Sequence, residues 1–272
     1  MKVLFKYCKQ GNGEFNEDAI LTTSKLSCVI DGATDVYLDE HPQLRGIVNE
    51  YVNEIIESLD EMNKEEMTLK DIVKTSLINT YHKLNSKYDL DAYMEYELPT
   101  FSIACIKENK NEYEYLVLGD CFLVFSIQEH IQMIEDRRIR IFSKHNRDEM
   151  KGLNLDPRCN KESLEVYKNT RKKANSNSGY PIGSVSGTGI DEAICGTVKK
   201  DNVNGILLFS DGFIDYFNSI KIEYKELFDE KYLSNIIKQS DMYYSDNEMY
   251  MEQLRPKQCD DRSIIMMKSG EI

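Results

Sequence analysis

Acidic residues recur in this sequence at the points where short apolar runs end. Cys28, Val29 and Ile30 lead directly into Asp31 and Gly32. A carboxylate that leaves water at the end of a buried strand is costly unless it is paired or bound to a cation, and few basic residues lie close by in the sequence. The chain must therefore fold in a way that accommodates such carboxylates. Further acids beside apolar runs are Glu17, Asp18, Asp120, Asp211, Asp260 and Asp261.

Two interpretations of these acids are open. Asp31-Gly32 and Asp211-Gly212 are dipeptides that are common in tight turns. Alternatively, the strands deliver the carboxylates to a divalent cation, which removes the repulsion that raises the pKa of converging acids. No His or Cys stands at metal-ligand spacing, and all-oxygen ligands favour Mg²⁺, Mn²⁺ or Ca²⁺ over Zn²⁺. The recurrence of the pattern along the chain favours the metal interpretation.

Composition narrows the classes of function. The net charge of −13 argues against a nucleic-acid-binding surface, which needs a basic stripe. No apolar run approaches the roughly 20 residues that span a bilayer, so we expect no membrane segment. The seven cysteines include no Cys-x-x-Cys pair, and Cys28, Cys105 and Cys121 are expected to be small buried side chains. We therefore expect a protein of the reducing cytoplasm.

Apolar spacing predicts two helices after the first strands. The first covers the segment 41–62, with Asp39 as N-cap and Pro42 in the first turn. The second begins at Thr68, with Asp71 in the place of a capping-box acid. The apolar stripe of the first helix consists of Leu44, Ile47, Val48, Tyr51, Val52, Ile55, Ile56 and Leu59.

The rest of the chain alternates between strands and less regular segments. Residues 100–134 are rich in β-branched and aromatic residues and predict strands, with a turn at 109–111. The charged stretch 137–178 predicts an irregular or helical excursion, followed by a Gly/Ser-rich loop around one short strand. Helical segments are expected from 224 to 253, before a last strand that follows Asp261. Segregated strands and helices indicate an α+β fold in layers.

The ordered motifs resemble those of the metal-dependent protein serine/threonine phosphatases of the type 2C, or PPM, family. The motifs are NEDAI, VIDGATD, PTFSIACI, VLGDCFLVF, LLFSDGFID and CDDRSII, in the family's order along nearly the whole chain. The resemblance implies one domain over residues 1–272, in which the excursion at about 137–178 is a variable flap. It also implies a four-layer αββα sandwich, which is an antiparallel β-sandwich with helices on both outer faces.

The resemblance further implies a centre of two Mg²⁺ or Mn²⁺ ions. Asp31 would bridge the ions, with Asp211 and Asp260 completing one shell. Asp31, Asp211 and Asp260 would be catalytic through a metal-bound water that attacks phosphorus. The Gly32 carbonyl would bind the other ion, and Glu17 would act directly or through water. Asp18 and Asp261 would support these ligands without contacting the ions. Asp120, with Asp215, falls where the family can hold a third ion.

Several positions depart from the family's pattern. Gly13 stands where many members have an Arg that grips the phosphate, and Ala33 where some have a His proposed as a general acid. Thr34 replaces the second Gly of the DGxG consensus, and Cys121 replaces the serine of the GDS strand. Lys9 or a basic residue of 137–173 could replace the missing Arg, although charge runs are usually solvated surface.

These departures spare the metal ligands and affect the binding of substrate. The expected function is hydrolysis of phosphoserine and phosphothreonine on proteins. A catalytically weak binding or regulatory module is the first alternative, and another two-metal phosphoester hydrolase is the second. The substrate protein, the preferred ion and the oligomeric state stay open.

Overall fold

The structure is a computed structural model, and it describes residues 1–33, 35–64, 66–153, 161–245 and 259–269. Its strands are β1 (Lys2–Lys9), β2 (Asp18–Thr22), β3 (Leu26–Gly32), β4 (Thr100–Glu108), β5 (Glu112–Leu118), β6 (Phe122–Ile127), β7 (His130–Glu135), β8 (Gly183–Ser184), β9 (Ile194–Lys199), β10 (Val203–Phe209) and β11 (Arg262–Lys268). Its α-helices are α1 (Ile47–Met62), α2 (Leu69–Tyr88), α3 (Arg138–Gly152), α4 (Lys161–Arg171), α5 (Ile214–Ser219) and α6 (Glu230–Tyr244).

The strands form two antiparallel sheets. Sheet A has the order β1-β11-β10-β6-β7, and sheet B has the order β2-β3-β4-β5-β9, with β8 paired to β4. Strands β5 and β6 follow each other in the chain but lie in different sheets. Gly119 has a φ of 77° at the turn between them, a conformation that favours glycine. Asp120 is therefore placed where the chain crosses from one sheet to the other.

Alternation along each strand separates an inner face from an outer face. Val29 and Ala104 of sheet B pack against Leu208 and Ile265 of sheet A, and these side chains form the core between the sheets. The intervening positions, such as Cys28, point away from that core towards the helices. The alternation continues to the end of each strand, so every second side chain there also faces the other sheet.

Helices α1 and α2 cover the outer face of sheet B. Tyr51 and Leu59 of α1 are fully buried there, and burial of a side chain such as Leu59 contributes about 1.5–3 kcal/mol. Thr68 caps α2 as predicted, because its hydroxyl accepts from the Asp71 amide. The predicted start of α1 is wrong. Pro42 begins a separate 3-10 turn, and Gly46, at a φ of 80°, interrupts the chain before the helix.

Helices α5 and α6 cover the outer face of sheet A, where Phe209, Phe217 and Leu233 are buried. The described layers are thus helix, sheet, sheet and helix, which confirms the predicted αββα fold. The excursion is largely helical, in α3 and α4. Strand β9 was not predicted. Its residues alternate between partly buried and exposed, and Gly196 lies in its middle, a pattern that is also typical of a loop. The predicted helix beyond 245 lies outside the described residues.

Cys28, Cys105 and Cys121 are buried free thiols, as predicted. Among the described helices, none is both long enough and apolar enough to cross a bilayer.

Candidate metal centre

Strand β3 carries Asp31 to one end of the sandwich. Asp31 lies opposite Asp18 of β2 on one side and opposite Ser102 of β4 on the other. Directly opposed residues on neighbouring strands have Cβ atoms about 4.5–5.5 Å apart. By the same alternation that points Val29 inward, Asp31 faces the interior between the sheets. The strand register alone therefore brings two carboxylates together.

Asp18 is held from the opposite sheet. The hydroxyls of Ser210 and Ser263 donate to its Oδ2, at 2.7 and 2.5 Å. Its Oδ1 is buried and has no hydrogen-bond partner in the described structure. Burial raises the pKa of Asp18 to about 7, the two hydroxyls oppose the rise, and Asp261 and Asp260 add to it. The carboxyl group is thus fixed in place, but the two hydroxyls do not offset the cost of burying its negative charge.

Asp31 is the electrostatic centre of the cluster. Burial raises its pKa well above the usual range, and the neighbouring charges of Asp18, Asp211, Asp120 and Asp260 raise it further. Acids from β2, β3, the β5–β6 turn and the segments beside β10 and β11 therefore influence one another. Like charges at this density are unfavourable without a cation.

Asp120 belongs to the same group. Its Oδ1 accepts from the Ser102 hydroxyl at 2.5 Å, and its amide donates to that hydroxyl at 3.1 Å. Burial raises the pKa of Asp120, while the Ser102 hydroxyl and the Arg140 charge oppose the rise. Arg140 of α3 is therefore close enough to affect the acids.

Two glycines beside the acids are required by close packing. A Cβ on Gly32 would lie 2.6 Å from Cγ1 of Val48 and 2.8 Å from the carbonyl oxygen of Glu17, which accepts from the Gly32 amide. A Cβ on Gly212 would lie 2.0 Å from the Asp261 carbonyl oxygen. The turn interpretation and the delivery of Asp31 and Asp211 are therefore compatible.

Asp261 fixes the loop that precedes β2. Its Oδ1 accepts from the amide of Gly11 at 2.7 Å, and its Oδ2 accepts from the amide of Glu17 at 2.6 Å. The side chain is only 3% exposed. Both oxygens are therefore engaged in holding the backbone that carries Glu17.

The structure thus brings together Asp18, Asp31, Asp120, Asp211 and Asp260, with Asp261 behind them. Asp215 lies in the first turn of α5 and lines a cavity together with Asp120 and Asp211. As they stand, however, no three or more His, Cys, Asp or Glu side chains among the described residues form a group that could hold a metal ion. The carboxylates share a region without converging on one point.

Arg171 is the residue of the excursion that sequence reasoning placed wrongly. Lys172 and Lys173 are exposed as expected, but Arg171 is only 9% exposed at the end of α4. Burial lowers the pKa of its guanidinium, and the Asp35 and Glu17 charges partly offset this. Burial of the first residue of this basic run, Arg171, against another segment leaves no signal in composition.

Asp35, Tyr180 and Lys9 have other roles. Asp35 accepts from the Tyr37 amide at 2.8 Å, a capping role that agrees with the absence of any motif for this residue. Tyr180 is buried and packs against Phe142. Burial raises the pKa of Tyr180, the Arg171 charge opposes the rise, and the Asp120 charge adds to it. Lys9 forms an ion pair with Asp241 at 3.0 Å.

A cavity of about 810 Å³ opens beside the acids on the outer side of sheet A. Asp120, Asp211 and Asp215 line one part of it, and Arg140, Ser143 and Arg147 of α3 line another. The region therefore combines a cluster of carboxyl groups with an adjoining cleft that has basic groups.

The architecture is that of the serine/threonine phosphatases of known structure, along nearly the whole chain. The Mycobacterium tuberculosis phosphatase PstP/Ppp has a TM-score of 0.59 at 12% identity, covering 98% of this chain and 98% of that chain. The catalytic domain of PstP in complex with two manganese ions has a TM-score of 0.55 at 12% identity, covering 96% and 95%. Stp1 from Staphylococcus aureus has a TM-score of 0.57 at 13% identity, covering 100% and 96%.

At these identities the likeness establishes the fold. The sequence matches no protein-family model and no curated protein.

Proposed function

We propose that the protein is a metal-dependent phosphatase that hydrolyses phosphoserine and phosphothreonine on proteins. One observation carries the proposal: Asp31 and four further aspartates gather at one end of a sandwich with the fold of serine/threonine phosphatases. Perturbed carboxyl groups concentrated beside a cleft are typical of functional sites.

The chemistry of the acidic side chains fits divalent cations, although the described side chains do not converge on one point as they stand. The donors are all oxygens, which suits Mg²⁺ and Mn²⁺. The buried Oδ1 of Asp18 has no partner in the described structure, and the acids raise one another's pKa. A solved PstP catalytic domain contains two manganese ions. We expect two Mg²⁺ or Mn²⁺ ions here, held by Glu17, Asp31, the Gly32 carbonyl, Asp211 and Asp260, with Asp120 and Asp215 available to a third.

The chain's own groups position the reactants. When bound, the ions would supply an activated water and neutralise charge on the phosphoryl oxygens. Asp261 holds the backbone of Glu17, and the two serine hydroxyls orient the Asp18 carboxylate. Burial raises the pKa of Cys121 well above its usual value, so its thiol stays protonated and is a poor nucleophile.

Arg171 is our candidate for the phosphate-binding cation that Gly13 does not supply. It comes from the flap-like excursion but is buried beside Glu17 and Asp35. Lys9 is engaged by Asp241 instead. A guanidinium presents paired donors that match phosphate geometry, which an ammonium does not. We expect Arg171→Lys to raise KM for phosphopeptides more than it lowers kcat, with Lys172→Ala as the control of a nearby exposed charge.

The test of the function is hydrolysis of p-nitrophenyl phosphate and of phosphoserine and phosphothreonine peptides with Mn²⁺. Wild type is compared with Asp211→Ala and with Asp201→Ala, a matched loss of an acid that is exposed near the opposite end of β10. We expect metal-dependent turnover that Asp211→Ala abolishes and Asp201→Ala preserves. Absence of turnover with retained Mn²⁺ binding would instead support a binding module, and cleavage of DNA or RNA would support another hydrolase.

A further inference from the structure

The basic part of the cavity beside the acids is one face of helix α3. Arg140, Ser143 and Arg147 are spaced by three and four residues, so they share that face. Asp120, Asp211 and the first turn of α5 line the same cavity. A volume of about 810 Å³ is within the usual range for clefts that enclose a ligand, and it exceeds what one phosphoryl group fills.

The two arginines of this face differ in their contacts. Arg140 pairs with Glu135 at 2.8 Å, lies 4.8 Å from the centre of the Phe122 ring and opposes the pKa rise of Asp120. Arg147 is exposed, and no side chain in the described part of the chain forms an ion pair or hydrogen bond with its guanidinium. Arg140 is thus a fixed part of the wall, whereas Arg147 can bind an incoming anion.

The negative net charge of the protein makes Arg147 a distinct position for binding anions. With a net charge of −13, the protein repels anions over most of its surface. A guanidinium on the wall of a cleft reverses this repulsion locally and can bind a carboxylate or a phosphate through two parallel hydrogen bonds.

Helix geometry gives the distance along α3 between Arg140, which lies near the acids, and Arg147. Arg147 lies seven residues after Arg140, which is about 10.5 Å along the helix axis. An extended peptide advances about 3.3–3.4 Å per residue. If the substrate runs extended along α3 with its phosphoryl group at the acids near Arg140, a residue about three positions away lies beside Arg147.

We propose that Arg147 selects substrates that carry a second anionic group, a carboxylate or a second phosphate, about three residues from the phosphorylated residue. This inference rests on the proposed function, because it assumes that the phosphoryl group lies at the carboxylate cluster. It goes further by naming the chemistry of the substrate segment.

The test uses phosphothreonine peptides with Asp, phosphoserine, Ala or Lys at each position from two to four residues on either side. The measured quantity is kcat/KM relative to the Ala peptide, for wild type and for Arg147→Ala, Arg147→Lys and Arg147→Glu. For wild type we expect a preference of roughly three- to tenfold for an acidic residue near position three, weakened by salt. The Asp and phosphoserine arms show which anion is used.

The variants decide whether Arg147 causes the preference. Arg147→Ala should abolish it, Arg147→Lys should retain part of it, and Arg147→Glu should turn it into a preference for Lys. Lys199→Ala removes an exposed positive charge from β9 and should leave the ratio unchanged. A preference that survives Arg147→Ala, or its absence in wild type, overturns the inference.

Failure of the proposed function is distinguishable. Wild type that does not hydrolyse p-nitrophenyl phosphate with Mn²⁺ refutes the phosphatase activity. In that case the affinities of the same peptides, measured by fluorescence anisotropy with Mn²⁺ present, decide on Arg147. Tighter binding of the acidic peptides that depends on Arg147 supports the inference, and equal binding of all peptides contradicts it.

Discussion

Replacing Asp18 by Asn should stabilise the metal-free protein at and above neutral pH. Burial and nearby acids raise the pKa of Asp18 from 3.8 to about 7, so folding above pH 7 requires the burial of a carboxylate that is charged in both the unfolded and the folded chain. At 1.36 kcal/mol for each tenfold change, this costs roughly 4 kcal/mol. An Asn oxygen can still accept from Ser210 and Ser263, and its amide group would occupy the position of the unpartnered Oδ1.

The sign of the pH dependence follows from the raised pKa. Below pH 3.8 the carboxyl is protonated in both the folded and the unfolded chain, and Asp18 costs nothing. Between pH 3.8 and 7 the unfolded chain loses the proton first, so the free energy of unfolding falls as the pH rises. Above pH 7 the loss is complete. The advantage of Asp18→Asn should therefore grow between pH 4 and 7 and then level off.

The assay is thermal unfolding followed by circular dichroism, in EDTA, at pH values from 5 to 8. At pH 8 a gain of roughly 4 kcal/mol corresponds to a Tm about 8–16 °C higher for a chain of this size. Mn²⁺ should stabilise wild type more than Asp18→Asn, since the ions offset a repulsion that the variant lacks. Asp201→Asn is the control. A Tm of Asp18→Asn at or below that of wild type at pH 8 would refute this explanation.

Three further changes have defined outcomes. Gly32→Ala should lower the free energy of unfolding by roughly 1–3 kcal/mol through overpacking. Gly152→Ala is the control, because nothing lies within 4 Å of the new Cβ, and it should not destabilise the protein. Urea denaturation measures both variants. Asp261→Ala should weaken Mn²⁺ binding in calorimetry by about 10–100-fold, because the backbone of Glu17 loses its support; unchanged affinity would contradict the assigned role. Thr68→Ala should cost about 1 kcal/mol in the same denaturation assay as the loss of a helix cap, and an unchanged midpoint would exclude that role.

The fold could be predicted where local pattern determines it. The apolar run before Asp31 predicted a buried strand, and the spacing from Ile47 to Leu59 predicted a helix that packs on a sheet. The predicted start of α1 was wrong because Gly46, whose backbone lies in the left-handed region, separates the turn that begins at Pro42 from the helix. Such a break depends on a backbone conformation that apolar spacing does not reveal.

The sequence predicts which acids are candidate ligands, but not which side chains hold them in place. Asp18 is fixed by Ser210 and Ser263, which are 192 and 245 residues away in the chain. Serine is common on strands, so its presence in the sequence predicts no contact. The two hydroxyls reach Asp18 only because sheet A packs against sheet B. The same holds for Arg171 and Arg147, whose opposite environments follow from where the helices of the excursion pack.

The most direct test of the metal centre is anomalous diffraction from crystals of the protein soaked in MnCl₂. Data collected at the manganese absorption edge locate bound Mn²⁺ without reference to the surrounding side chains. We predict two strong peaks at the end of the sandwich, both within bonding distance of Asp31, with Asp211 and Asp260 on one of them. The absence of peaks at saturating Mn²⁺, or peaks away from Asp31, would contradict the account.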